Sequence, residues 1–231
     1  VGAPTHDGTG SVYLFQKKAG RWEERARLTA PQAVNGDQFG AAVALDASRL
    51  VVGAPEVDSS RGAVYASTRD PRSGEWTPLQ RIGAGAEPFE RLGAAVAVAG
   101  DRVLAGAPGV QRGGGNPFGG GTPPPMRNGS ARVFAVDPRG AWTEEVRLES
   151  TADTARGFGV AVLLEGSEAF IGAPRTAKAA GAVYAYRRSG STWQQVAKLQ
   201  PAKPEPITGF GGSLARAGSS LLVGASMANR Q

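Results

Sequence analysis

Phe39-Gly40-Ala41-Ala42-Val43-Ala44-Leu45-Asp46-Ala47-Ser48-Arg49-Leu50-Val51-Val52-Gly53-Ala54-Pro55 is the stretch that decides the fold. Two short apolar runs, Ala42 to Leu45 and Leu50 to Val52, flank the polar turn Asp46-Ala47-Ser48. Small and β-branched side chains at consecutive positions suit strands covered on both faces, so the stretch reads as a hairpin of two buried strands. It recurs along the chain. Gly-Ala-Pro closes an apolar run at Gly2, Gly53, Gly106 and Gly172, and Gly224-Ala225-Ser226 is a weaker fifth copy. Pro55, Pro108 and Pro174 complete the internal triplets, which lie 51, 53, 66 and 52 residues apart along the series. Fourteen residues before each of the last four stand Phe39-Gly40, Leu92-Gly93, Phe158-Gly159 and Phe210-Gly211.

Two more landmarks keep the same register. A glycine-led strand follows each Gly-Ala-Pro and carries Val12-Tyr13, Val64-Tyr65, Val133-Phe134 or Val183-Tyr184. A tryptophan comes next, at Trp22, Trp76, Trp142 and Trp193, and these are all the tryptophans of the chain. Leu28, Ile82, Leu148 and Leu199 lie six residues beyond them, an even offset that puts both side chains on one face of an extended strand. Each unit therefore reads as four strands, with the phenylalanine-glycine strand innermost and the more polar tryptophan strand at the outer edge. A repeat of this length is a structural unit that stacks on its neighbours. The expected fold is all-β, a β-propeller of four-stranded antiparallel blades with sixteen strands in four sheets. The units run approximately over 1–38, 39–91, 92–157, 158–209 and a partial 210–231, and together form one domain.

This pattern resembles the FG-GAP repeat of integrin α-subunit propellers. It is closer to the bacterial FG-GAP variety, which also carries the tryptophan strand. The resemblance covers practically the whole chain. It implies a propeller commonly of seven blades, extracellular or at the cell surface, and without catalytic activity of its own. The opening at Val1 suggests a start within a longer precursor with other domains. Two arrangements remain open at this stage. Either the strands from Phe210 to Ala225 close a four-bladed ring with those from Gly10 to Thr29, or the chain is an arc of a seven-bladed ring.

Composition agrees with a globular β protein and narrows the function. Of 231 residues, 41% are hydrophobic, 20% are charged and 34 are glycines, the last suiting many turns. No run approaches the roughly 18 apolar residues of a membrane span, so membrane insertion is not expected. Cysteine is absent, which excludes disulfides, thiolate metal sites and cysteine nucleophiles. The net charge of +6 is scattered, with no cluster longer than Lys17-Lys18 or Arg187-Arg188, unlike the focused patch of a nucleic-acid binder.

Calcium is a natural question for this repeat, because many FG-GAP blades hold it in the hairpin between their first two strands. A hard cation wants six to eight oxygens. The hairpins here, Asp46-Ala47-Ser48, Ala99-Gly100-Asp101, Glu165-Gly166-Ser167 and Ala217-Gly218-Ser219, offer at most one carboxylate each, so no metal or other cofactor is expected. His6-Asp7-Gly8 reads as a turn. Ligand contacts are expected in the loops after Gly-Ala-Pro and after the tryptophan strand. One of these holds the Gly/Pro-rich insertion 109–128, whose Arg112, Phe118, Met126 and Arg127 are the candidate interaction residues. Asn128-Gly129-Ser130 is a formal glycosylation sequon that reads more simply as a turn. With one histidine, no cysteine and inner strands of alanine and valine, catalysis is not expected. The reading is a recognition or adhesion module for a protein or glycan ligand. The alternatives are a structural spacer in a larger secreted protein or, further off, a propeller associated with hydrolase activity.

Overall fold

The computed structural model describes residues 1–85, 87–109, 128–150, 155–176, 181–203 and 209–226. It is an all-β chain of blade-like antiparallel sheets. The first sheet has three strands, β1 (Gly2–Ala3), β2 (Ser11–Lys18) and β3 (Arg21–Leu28). The second holds β4 (Ala42–Leu45), β5 (Arg49–Ala54), β6 (Ala63–Thr68) and β7 (Gln80–Ala84). The third holds β8 (Ala95–Ala99), β9 (Arg102–Ala107), β10 (Ser130–Val136) and β11 (Trp142–Glu149). In the fourth region, β12 (Ala155–Arg156) pairs with β15 (Arg175–Thr176) as a small ribbon. Its blade is β13 (Ala161–Glu165), β14 (Glu168–Ala173), β16 (Ala182–Ser189) and β17 (Thr192–Leu199). A final hairpin joins β18 (Phe210–Ala217) to β19 (Ser220–Ala225).

The four-strand unit is thus complete three times and flanked by partial units of three and two strands. Consecutive innermost strands pack on one another in the series β4, β8, β13, β18. Among the described residues, β19 pairs only with β18, β18 beyond that only bridges Gly181 through Phe210, and β1 pairs only with β2, so the Phe210 and Tyr13 strands are not sheet neighbours. The blades form an open arc.

Three features depart from the expectation. The innermost strands are only half-buried, and in β4 Val43 and Leu45 are exposed. The second strands of the complete blades carry the core instead, with Val51, Val52, Val103, Leu104 and Ile171 fully buried. The even spacing from tryptophan to leucine does not keep one face either. Every pairing of third and fourth strands shifts register, between Leu14 and Phe15, Val64 and Tyr65, Val133 and Phe134, and Ala185 and Tyr186. One extra residue of the fourth strand sits at each shift, and such a bulge breaks alternation. The third blade also aligns differently. Val12, Val64 and Val183 pair with the glycine of their own Gly-Ala-Pro, but in the third blade Ala131 does. Val133-Phe134 therefore lies two residues beyond the expected slot, and Arg132 occupies the place of Tyr13, Tyr65 and Tyr184.

The junction between blades is built from backbone. A Cβ on Gly53 would lie 1.9 Å from the carbonyl oxygen of Gly93, the phenylalanine-glycine (here Leu-Gly) residue of the next blade. Gly2 meets Gly40, Gly106 meets Gly159 and Gly172 meets Gly211 in the same way. Gly93 itself has φ +89°, a conformation costly for any residue with a Cβ. The preceding aromatic or leucine is sealed inside, since Phe39, Leu92 and Phe158 have no exposed surface.

Side chains lock the opposite edge of the junction. Glu145, the extra residue of the third blade's bulge, accepts from Arg102 Nε at 3.0 Å, and from Arg188 Nε at 2.9 Å and Trp193 Nε1 at 3.2 Å in the fourth blade. Arg216 in β18 likewise reaches Glu168 of the fourth blade at 2.6 Å. Burial alone would raise the Glu145 carboxyl, but hydrogen bonds from Arg102, Trp193 and Arg188 outweigh it and hold the group below the usual carboxylate range.

Two outcomes follow. Gly53→Ala should destabilise by on the order of 3 kcal/mol in urea unfolding, because backbone atoms cannot move aside. Gly100→Ala, which meets open space at φ +59°, should cost only about 1 kcal/mol. Because the Glu145 value is depressed, its contribution is present above the usual carboxylate range and is lost as pH falls through the depressed value. Glu145→Gln should therefore lower the urea midpoint at neutral pH, and its gap from wild type should close below roughly pH 4.

Candidate functional site

The connection from β3 of the first sheet into the second blade and the connection after β5 meet on one face. Between them lies a cavity of about 750 Å³. Its floor includes Tyr65 on β6, and Asp37, Val34 and Leu79 contribute walls. The connection after β5 forms the other wall through Asp58 and Ser59. Here the backbone is strained. Asp58, Ser59 and Ser60 take φ of 51°, 56° and 59° in succession, a left-handed run that costs about 1–2 kcal/mol per residue without glycine. Phe89 and Arg91 of the following linker are left-handed too, at 66° and 60°. Neighbouring hydrogen bonds hold the run in place. Phe89 N–H donates to the Ser59 carbonyl at 3.3 Å, Arg91 N–H to Ser60 at 2.8 Å and Leu92 N–H to Arg61 at 3.0 Å. Arg91 also closes an ion pair with Glu56 at 2.6 Å. Backbone strain held this firmly beside a cavity is a pointer to a working surface.

The acids around this cavity are already engaged. The Asp37 carboxylate accepts from Val34 N–H at 2.8 Å, Glu56 is held by Arg91, and Asp58 lies 3.3 Å from Arg61 Nε. A basic residue faces them from the outer strand. It belongs to a row, one per blade, that sequence reading passed over: Arg27, Arg81, Arg147 and Lys198. Each stands immediately before Leu28, Ile82, Leu148 or Leu199, so the signal was one position from a landmark already in use. Arg27 pairs with Asp7 from its own blade's loop and donates to Ser11 Oγ at 3.1 Å. Arg147 lies 3.0 Å from Glu90 and 2.7 Å from Glu149. Lys198 Nζ sits 5.6 Å from the Tyr184 ring centroid. Arg81 pairs in the sheet with Tyr65, is exposed, and has no carboxylate partner among the described residues. Burial raises the Tyr65 phenol, with Arg81 opposing and Asp37 reinforcing the shift.

The equivalent face of the third blade is built on different chemistry. In the second and fourth blades an aromatic pair fills the slot, Phe39 with Tyr65 at 5.5 Å and Phe158 with Tyr184 at 5.3 Å. Leu92 and Arg132 replace both members at once. Glu90, two residues before Leu92 as Asp37 is before Phe39, meets Arg132 at 2.8 Å, with both side chains at most 6% exposed. Arg132 also donates to the Ala84 carbonyl at 3.1 Å. A smaller cavity of about 250 Å³ opens beside this pair, with Ser130 on its wall and the Ser130 hydroxyl buried without a hydrogen-bond partner. Gly109 N–H donates to the Glu90 carbonyl at 3.0 Å, tying the start of the insertion to the same residue.

Arg112, Phe118, Met126 and Arg127 lie outside the described residues, so the expected interaction loop is represented only by its two stems. His6-Asp7-Gly8 is a single tight turn, as read, and its Asp7 is the partner of Arg27. Asn128 is exposed while Ser130 is buried, which separates the two ends of the sequon. In the hairpin between β4 and β5, Asp46 accepts from Ser48 and Arg49 N–H, each at 2.7 Å, and from Gly100 N–H of the next blade at 3.1 Å. Its carboxylate is committed to shaping the turn and joining two blades. Among the described residues no three acids, histidines or cysteines gather as a metal would need. No helix among them is long and apolar enough to cross a membrane.

Open-ended repetition of antiparallel blades, with loops gathered on one face, defines a β-propeller-type repeat protein. The FG-GAP repeat family model matches residues 22–66, from the tryptophan strand of the first sheet to the third strand of the second. That stretch of the chain is an FG-GAP repeat. No curated protein matches it.

The ion pair of the third blade makes a stability test. Arg132→Met leaves a buried carboxylate with one partner fewer and should cost about 3 kcal/mol in urea unfolding at neutral pH. Arg147→Met, at an exposed position, should cost about 1 kcal/mol or less. Arg132→Tyr combined with Leu92→Phe and Glu90→Gln rebuilds the aromatic pair of the neighbouring blades, removes the buried charge as well, and should recover most of the loss.

Proposed function

We propose that this chain is a non-catalytic recognition module, extracellular or at the cell surface, that takes a protein or glycan ligand on its loop face. The observation that carries the reading is the cavity of about 750 Å³ walled by strained backbone, on the face where strand order gathers the variable loops. A spacer has no use for left-handed residues held against their preference. A pocket of mixed apolar and polar lining does, because fixed polar groups give orientation and apolar surface gives affinity. Repetition of the blades supplies the rigid base that such a surface needs. The buried side chains of the core clusters are dominated by alanine, valine and other apolar groups, which fill space and offer no acid, base or nucleophile.

The test uses a plug. Val34 is 65% exposed at the cavity wall, so Val34→Trp should obstruct the opening without disturbing the core. Val196→Trp, on the outer strand of the fourth blade, is the control. On a panel of immobilised glycans and matrix proteins, wild type and the control should bind at least one member saturably, and the plugged variant about tenfold more weakly or not at all. Saturable binding that the plug leaves untouched would move the site elsewhere. Absence of any saturable binding across the panel would favour the spacer reading.

A further inference from the structure

We propose that Arg81 is the anchor of a subsite for a carboxylated sugar, a uronate unit, in the second blade's cavity. The inference rests on the loop-face reading above and names the ligand class for the same site. The protein itself shows what this position of the repeat accepts. In the first blade the equivalent Arg27 is paired with Asp7, supplied by the loop after the Gly-Ala-Pro strand. In the third blade Arg147 is paired with Glu90 and Glu149. In the second blade the same loop supplies Asp58, which turns instead toward Arg61 at 3.3 Å. Glu56 and Asp37 are likewise committed, to Arg91 and to Val34 N–H. Arg81 is left exposed on a cavity wall with no carboxylate partner among the described residues. A planar guanidinium binds a carboxylate through two parallel hydrogen bonds, so an incoming carboxylate takes the place that Asp7 holds in the first blade.

The rest of the wall separates a sugar acid from an acidic peptide. Gln32, Asn35 and Ser59 offer both donors and acceptors, and the Asp58 carboxylate is acceptor-only. Hydroxyl groups donate to such acceptors. The side chains of an acidic peptide are acceptors themselves and would meet Asp58 with repulsion. Leu79 and Val34 supply apolar surface for the carbon face of a ring.

Titration calorimetry of the whole chain with trigalacturonate tests this, with neutral galactotriose and triglutamate as comparisons. Trigalacturonate should bind saturably, and both comparisons at least about tenfold more weakly, the weight of a charge-assisted pair. Arg81→Gln should lose the preference for the acid, and thermal unfolding should be unchanged because the residue is exposed. Ser59→Asp puts an internal carboxylate beside Arg81, in the manner of Asp7 in the first blade, and should weaken binding similarly. Arg27→Gln should bind as wild type does. The proposal is overturned by no saturable binding of trigalacturonate, by undiminished binding to Arg81→Gln, or by triglutamate binding as tightly. If a panel ligand sensitive to Val34→Trp is found while trigalacturonate stays silent, the uronate assignment fails and the loop-face reading stands.

Discussion

The structure depends on a backbone contact. At every junction the Gly-Ala-Pro glycine of one blade lies under the carbonyl of the phenylalanine-glycine residue of the next, closer than any Cβ allows. A third glycine completes the contact. Gly10, Gly62, Gly129 and Gly181 open the third strands, and a Cβ on each would meet the carbonyl of Phe39, Leu92, Phe158 or Phe210 at 2.1–2.3 Å. Three of these pairs are parallel bridges between blades. With the main chains this close at their ends, the sheets cannot slide, and β8 is built from alanine and valine alone. The fixed spacing of fourteen residues between the two landmarks follows, since one end of the hairpin must meet the preceding blade and the other end the following one. Stability then comes from the second strands, buried on both faces between successive blades.

Away from that contact the repeat is permissive, and the bulge in the fourth strand shows how. The extra residue at each register shift is Arg25, Ile82, Glu145 or Val196. A bulge recurs in every unit, two positions nearer the start of the third strand in the second blade, and its chemistry varies more still. Where the residue is Glu145, it becomes a bridge drawing Arg102, Arg188 and Trp193 together across two blades. Where it is Val196, it stands 52% exposed. A bulge re-aims a side chain without disturbing the ladder beyond it, so it is a place where a repeat can vary freely.

The fold was legible because glycine and proline mark particular backbone conformations and the recurring tryptophan marks the register of the repeat. The junction glycines and the buried Phe39, Leu92 and Phe158 stand where the pattern put them. Bulges carry no residue signature, so the even spacing from Trp193 to Leu199 misled about which face each side chain shares. Val133-Phe134 misled for a related reason. It mimics the valine-aromatic pair two residues late, and only the pairing of Ala131 with Gly106 shows that Arg132 holds the aromatic slot. The face of the loops could be read from strand order. The cavity could not, because it depends on left-handed residues at Asp58 to Ser60, which glycine would have announced and aspartate and serine do not.

The second and third blades show why departures from the repeat say more about function than adherence to it. Phe39 with Tyr65 and Phe158 with Tyr184 give an apolar seal that needs nothing else. In the third blade both aromatics are gone, and a buried charge must be matched where none was needed. Glu90 meets that need, and Arg147 of the basic row is drawn to it. In the second blade the aromatic seal remains and the buried Asp37 is answered by the Val34 N–H, so the row's Arg81 is not drawn inward. Its freedom is thus a consequence of the core beneath it: where the blade's interior is satisfied without a cation, the surface cation is released to face solvent and whatever solvent carries.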